Sequence, residues 1–221
     1  MNDESLLFKS KSNEIMSKPI IYTIGHSTHR IEYFLDLLKH HKVNCVIDVR
    51  SMPASRFNPQ YNKKSLTMSL NSHGVEYLHF GDAFGARQTD PALLDKSGRV
   101  DFEKVRNTET FKDSISRVSR ETAAGKTIAL MCSEAEPLSC HRFVMISVAL
   151  KDFEVRHIWK DKSIVSQQEL ESRLMENFSK KSQATIFWET MPSDEKLGEA
   201  YQMMNKEIGY MPSQQKRIVQ K

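Results

Sequence analysis

Reactive side chains are concentrated between Thr127 and Arg142. The apolar run from Ile128 to Met131 is typical of a buried strand, and a thiol, a carboxylate and a Cys-His-Arg triplet follow it. In α/β proteins such a loop lies at the carboxyl end of the strand, beside the free N–H groups of the next helix, where binding and catalytic groups collect. We therefore expect a functional site here, and its candidate residues are Cys132, Glu134, Cys140, His141 and Arg142.

The thiol of Cys132 is open to two interpretations. A nearby cation or helix N-terminus favours the thiolate, which is a nucleophile, whereas most free cysteines pack as small apolar groups. Nine residues separate Cys132 from Arg142. This is longer than the Cys-x5-Arg loop of tyrosine phosphatases and the similarly short loop of rhodaneses, so neither activity is predicted.

The carboxylates and the histidine allow acid–base chemistry. Glu134 and Asp48 are a candidate pair for proton transfer or for attack on a sugar carbon, but each could instead cap a helix, and Asp48 could hold Arg50 in place. His26 is a candidate general base or phosphate ligand, or its ring satisfies a backbone carbonyl. Ser27 follows it and is a candidate cap of the next helix or a binding residue.

Five apolar runs separated by amphipathic helices predict the elements that position these groups. The fold expected is a Rossmann-like, three-layer α/β domain with a mostly parallel sheet. Because parallel strands end at the same edge of a sheet, the side chains that follow them should converge, and ligands bind there where the strand order reverses. The residues concerned are His26, Ser27, Asp48, Arg50, His79, Cys132 and Glu134.

An anionic ligand is suggested by the arginines. Arg142 in the first turn of a helix opposes the helix dipole and needs a compensating anion, which could be a substrate phosphate or the carboxylate of Glu134. Arg50, Arg56 and Arg87 in nearby loops agree with a phosphate-bearing substrate, although solvated surface charge is the default interpretation of Arg56 and Arg87. Cys140 and His141 would line the same wall. We expect no metal site. Although Cys132, Cys140, His141 and His26 are zinc-ligand types, their spacing matches no known zinc knuckle, and a cysteine and a histidine next to each other should not both face inward.

Length and composition limit the domain organisation, the cellular location and the cofactors that we expect. The 221 residues carry a net charge of +4 and three cysteines. We expect a flexible arm (1–18), one α/β domain (19–180) and a C-terminal helical appendage with a basic tail (181–221). We predict a cytoplasmic protein without a membrane partner on three grounds. These are the odd number of cysteines, the lack of a 20-residue apolar run and the polar N-terminus. No Gly-x-Gly-x-x-Gly or Walker pattern is present, so we predict no nucleotide cofactor; the oligomeric state stays open.

Three motifs resemble those of one family, the domain-of-unknown-function 488 family, across roughly residues 20–160. The resemblance implies a Rossmann-like domain with a polar site built from these residues, and it implies no particular reaction. The motifs are Thr23-Ile-Gly-His-Ser27, Asp48-Val-Arg50 with Pro53 and Ser55, and Cys132-x-Glu134 leading to Cys140-His141-Arg142.

Our functional hypothesis is an enzyme that acts on a phosphate-bearing substrate, such as a nucleotide, a sugar phosphate or a nucleic acid. Hydrolysis and glycosidic-bond cleavage both fit the candidate residues. The alternatives are a nucleic-acid or protein binding module that uses the same basic edge, and a metal-binding domain.

Overall fold

A six-stranded sheet with helices on both faces forms the core of the computed structural model, which describes residues 17–181 and 190–212. The strand order is β3-β2-β4-β1-β5-β6; all neighbours pair in parallel except β5 and β6. The predicted three-layer α/β fold is confirmed. The strands are β1 (Ile20–Gly25), β2 (Cys45–Asp48), β3 (Glu76–His79), β4 (Ile128–Cys132), β5 (Glu154–Ile158) and β6 (Ile164–Ser166).

The helices divide between two layers. Helices α1 (Ile31–His40) and α2 (Lys63–Asn71) cover one face of the sheet, and the others cover the opposite face. The latter are α3 (Gly81–Phe84), α4 (Phe102–Arg106), α5 (Glu109–Ala123), α6 (Gln167–Lys181) and α7 (Ser193–Ile208). No described helix combines the length and the apolar character needed to cross a bilayer.

Strand β4 shows why the apolar runs fold into this sheet. All five of its residues are buried, and they alternate between the two hydrophobic clusters: Leu130 packs with one and Met131 with the other. A strand buried on both faces needs a continuous apolar run rather than an alternating pattern. The run therefore ends at the point where the chain leaves the core.

The helix that was predicted to hold Arg142 in its first turn is present in position but differs in form. Arg142–Ile146 is a π-helical turn and Ser147–Ala149 a 3-10 turn. The Arg142 carbonyl accepts both the backbone N–H and the hydroxyl of Ser147, the latter at 2.8 Å, which widens the turn. Such turns occur frequently at functional sites.

The predicted C-terminal helix is α7, and it packs into the main core. Ala200 is fully buried in the larger cluster, and the Tyr201 hydroxyl donates to Glu171 of α6 at 2.8 Å. Asn205 bonds the backbone of Val100 and Phe102 through its side-chain amide. Residues 1–16 of the predicted arm, residues 182–189 and the predicted basic tail from residue 213 lie outside the described residues.

His157 in β5 is expected to make stability depend on pH. Its ring accepts from the Thr23 hydroxyl at 2.7 Å and donates to the Gln167 side chain at 3.0 Å, so the neutral form is satisfied. Burial, with the charge of Arg142, lowers its pKa to about 3. Between that value and the ordinary pKa of about 6.5, only the unfolded chain takes up the proton, so the free energy of unfolding should fall by up to about 1.4 kcal/mol per pH unit as the solution is acidified.

Urea unfolding of the wild type and of His157→Gln at pH 7 and pH 5 measures this contribution. The wild type should lose more stability than the variant on acidification. Equal losses would show that the ring is protonated in the folded state.

Candidate functional site

The candidate site lies where the strand order reverses. The connection from β1 to β2 covers one face of the sheet, and the connection from β4 to β5 covers the other. A crevice therefore opens between the carboxyl ends of β1 and β4, which are neighbours in the sheet. The backbone N–H of His26 donates to the Cys132 carbonyl at 2.9 Å, and that of Ser27 donates to the Ser133 carbonyl at 3.0 Å. The structure therefore brings the segments after both strands together, as the strand pattern predicted.

Gly25 permits this contact. A Cβ atom at this position would lie 1.9 Å from the Glu134 carbonyl oxygen, so only glycine lets β1 and the reactive loop approach each other. The left-handed conformation of the turn falls on Ser27, whose φ is 48°. The prediction that Ser27 caps α1 is wrong, because the N-cap residue is Arg30 and no side chain caps this helix.

Asp48 and Arg50 form a buried ion pair. The Arg50 guanidinium donates from Nε and Nη2 to the two carboxylate oxygens at 2.8 and 2.6 Å, and the Tyr77 hydroxyl donates to the same carboxylate at 2.8 Å. Asp48 is fully buried and Arg50 is 6% exposed. These contacts fit the interpretation in which Asp48 holds Arg50 in place, rather than a role in proton transfer.

His26 is held in its neutral form beside this pair. Its Nδ1 donates to the Ser27 carbonyl at 2.8 Å, its Nε2 accepts from Arg50 Nη1 at 3.1 Å, and its ring stacks on Tyr61 with 4.0 Å between centroids. Burial and the positive charge of Arg50 lower its pKa to about 4. The ring therefore positions Arg50 and does not carry a charge at neutral pH.

Cys132, Glu134, Cys140 and His141 form one cluster. The Cys132 and Cys140 sulfurs lie 2.6 and 3.2 Å from Oε2 of Glu134, and 3.7 and 3.8 Å from Nδ1 of His141. The far nitrogen of His141 donates to the Val49 carbonyl at 3.2 Å, which leaves a lone pair on Nδ1 facing the sulfurs. The expectation that Cys140 and His141 cannot both face inward is wrong, because the irregular turn that begins here directs both side chains to Cys132.

The two thiols differ in acidity. Burial raises the pKa of Cys132 well above its ordinary value. For Cys140 burial acts in the same direction but is outweighed by the hydrogen bond with Cys132 and by the charge of Arg142, which lower the pKa well below its ordinary value. The surroundings of Cys140 therefore favour a thiolate, although the strand pattern directed attention to Cys132.

Arg142 fixes the loop and does not face a ligand. It is fully buried, and its guanidinium donates to the carbonyls of Glu134 and Ala135 at 2.6 and 2.9 Å. We predicted that a substrate phosphate or the Glu134 carboxylate would compensate the charge of Arg142. These contacts do not fit that prediction. Backbone carbonyls take that place, so the residue holds the loop against the π-helical turn.

A pocket of about 370 Å³ opens at the carboxyl ends of β1 and β4, and it reaches the reactive loop at Ser133. Donor groups dominate its lining, and the described residues that line it include no aspartate or glutamate. This volume is within the range of about 300–1,000 Å³ usual for small-molecule sites. The lining residues are His26, Ser27, Thr28, Arg50, Met52, Ala54, Ser55, Asn58, Arg87 and Ser133.

A comparison with family models decides the relationship. The model of DUF488, a domain of unknown function, matches residues 30–149, which is just over half of the chain. The protein belongs to the DUF488 family. Comparison with curated proteins and with solved structures gave no match. The second and third motifs of the sequence lie inside the DUF488 match, and the first, Thr23 to Ser27, lies before it.

Two residues of this DUF488 site, Tyr61 and Tyr77, were not singled out by the sequence. Tyr61 stacks on His26 and accepts from Arg50 through its carbonyl, and Tyr77 bonds Asp48. Arg87, which the sequence suggested as an anion ligand but by default as solvated charge, lines the pocket. Tyr77 lies two residues before the end of β3, so an inward polar side chain there was a usable signal. Tyr61 lies in a long irregular segment that gave no such signal.

Proposed function

We propose that this DUF488 protein is an enzyme that binds an anionic, phosphate-bearing substrate in the pocket between the ends of β1 and β4. The observation that supports this is a pocket lined by donors at the ends of β1 and β4. Its lining includes Ser133, which lies in the chain between Cys132 and Glu134, two members of the cluster of two thiols, a carboxylate and an imidazole. Hydrolysis and glycosidic-bond cleavage are the reaction classes that such groups serve.

Two arginines supply the positive potential of the pocket. Four of the five N–H groups of Arg50 are used by Asp48, Tyr61 and His26, which leaves one on Nη1 for a ligand. Its charge is balanced by Asp48. Arg87 is exposed and forms no salt bridge with a carboxylate among the described residues, so it is the cation available to a phosphate.

Glu134 is the best candidate for proton transfer. It is the one member of the cluster that is exposed, while the thiols and His141 are buried. Asp48 is fully engaged by Arg50 and Tyr77, and both ring nitrogens of His26 are hydrogen-bonded. Glu134 therefore has the access to solvent that the other members of the cluster lack.

Arg87→Ala is expected to weaken the binding of inorganic phosphate about tenfold or more, since a charge-assisted hydrogen bond is lost. Isothermal titration measures this affinity. The matched control is Arg120→Ala on the exposed side of α5, which removes the same charge far from the pocket. Equal weakening in both variants would indicate a general charge effect and contradict a pocket for phosphate.

Glu134→Gln is expected to abolish turnover while it leaves binding in place. A thermal-shift screen over nucleotides, sugar phosphates and oligonucleotides identifies the ligand, because any molecule that binds the native state raises the melting temperature. The wild type and the variant are then assayed with the ligand found. Full activity of the variant would rule out this role for Glu134. Salt-sensitive binding of oligonucleotides without any product would favour a binding module instead.

A further inference from the structure

We propose that Cys132, Cys140, His141 and Glu134 bind one Zn²⁺ ion at the carboxyl end of β4. Their four ligand atoms all lie within 4.8 Å of one another. Two thiolates, an imidazole nitrogen and a carboxylate oxygen are a donor set that zinc prefers, and four such ligands complete its tetrahedral shell.

The distances agree with a single tetrahedral ion. Bonds of about 2.3 Å to sulfur and 2.0–2.1 Å to nitrogen place these two ligand atoms about 3.6 Å apart. The two sulfur-to-Nδ1 distances are 3.7 and 3.8 Å. The carboxylate oxygen of Glu134 lies closer to the sulfurs, at 2.6 and 3.2 Å, so it is the ligand that has to move outward, and its exposed loop allows this.

The surrounding groups are those of a ligand shell. A metal-bound histidine usually donates its other N–H to a carbonyl or carboxylate, and His141 donates to the Val49 carbonyl at 3.2 Å, which frees Nδ1 for the ion. The Arg142 backbone N–H donates to the Cys140 sulfur at 3.4 Å, as amides do to bound thiolates. Two thiolates, a carboxylate and Zn²⁺ carry one net negative charge, and the buried guanidinium of Arg142 balances it.

The fold also holds three of the ligands rigidly and leaves the fourth accessible. Cys132 ends a fully buried strand, and Cys140 and His141 come directly before the π-helical turn, whereas Glu134 is exposed. Water can therefore replace Glu134 on the ion and lose a proton to the freed carboxylate, since bound zinc acidifies water. This last step rests on the proposed enzymatic function, and metal binding does not.

The test measures how much zinc the full chain retains. The protein is purified in reductant without chelator, then supplied with Zn²⁺, and excess metal is removed before the measurement. Wild type is expected to retain about one equivalent, and Cys132→Ala, Cys140→Ala and His141→Ala about a tenth or less. Cys45→Ala is the matched control, because this third cysteine is buried in β2 outside the cluster. Less than about a tenth of an equivalent in the wild type, or equal zinc in all variants, would overturn the proposal.

Substitution with Co²⁺ covers the case in which the variants fail to fold. The wild type and Cys45→Ala should both show thiolate-to-cobalt charge transfer and the intense visible bands of a tetrahedral site. A spectrum without them, or a Cys132–Cys140 disulfide in protein kept reduced, would contradict the proposed site. Arg87→Ala should lose phosphate affinity and keep its zinc, so failure of the metal site and failure of the phosphate pocket are told apart.

Discussion

Replacing Asp48 with Asn is expected to lower the free energy of unfolding by about 3–5 kcal/mol, because it leaves the buried guanidinium of Arg50 without its counter-charge. The carboxylate receives three hydrogen bonds from Arg50 and one from Tyr77, and none of its surface is exposed. Urea unfolding at pH 7 measures the loss. Phosphate binding should weaken as well, since Arg50 lines the pocket.

The control for this variant is an ion pair on the surface. Glu109→Gln removes the partner of Lys112 at the start of α5, where the two side chains are 83% and 54% exposed. A loss of less than about 1 kcal/mol is expected there, because solvent screens the pair. If Asp48→Asn costs as little as Glu109→Gln, the pair at the site does not depend on its buried charge.

Gly25→Ala is expected to have the second large effect. The added Cβ would lie 1.9 Å from the Glu134 carbonyl oxygen and 3.0 Å from the Ala135 Cα, and both are backbone atoms that cannot rotate away. The loop must then move off β1, at a cost of about 1–3 kcal/mol or more from overpacking. Because Glu134 moves with its backbone, zinc content and turnover should fall together with the melting temperature.

Gly198→Ala is the matched control for Gly25→Ala. It makes the same substitution inside α7 at a position where a Cβ meets nothing within 4 Å. Alanine should raise stability there by about 0.5–1 kcal/mol, since glycine is unfavourable in a helix interior. A melting temperature of Gly25→Ala equal to that of the wild type would show that the loop and β1 are not in close contact.

The parts of the fold that the sequence predicted are those with strong periodicity. The buried runs of β1, β2 and β4 and the spaced apolar residues of α1 and α5 identify their elements directly. Strand β6 has three residues and one buried side chain, so no pattern reports it. The π-helical turn depends on the second hydrogen bond that Ser147 makes to Arg142, a local choice that hydrophobic spacing does not encode.

For the candidate site, the sequence located the edge but not the contacts. The rule that parallel strands end together was enough to place His26 beside Cys132. It left open whether Asp48 pairs with Arg50 or transfers protons, and it did not reveal that Arg142 turns to backbone carbonyls, because strand topology does not determine side-chain pairing. The convergence of Cys140 and His141 on Cys132 required the irregular turn, which cannot be read from spacing.

Strand β1 belongs to the sheet but lies outside the part of the chain that the family model matches. Strand β1 lies between β4 and β5 in the sheet, but in the chain it comes before the matched range of residues 30–149. Strands β5 and β6 come after that range. A fragment cut at those limits would leave the inner edge of β4 with a row of unpaired backbone groups, a surface prone to aggregation and strand exchange. It would also lack His26 and half of the crevice. Fragments intended for solution work on this protein therefore need to begin before Ile20 and to continue past α7.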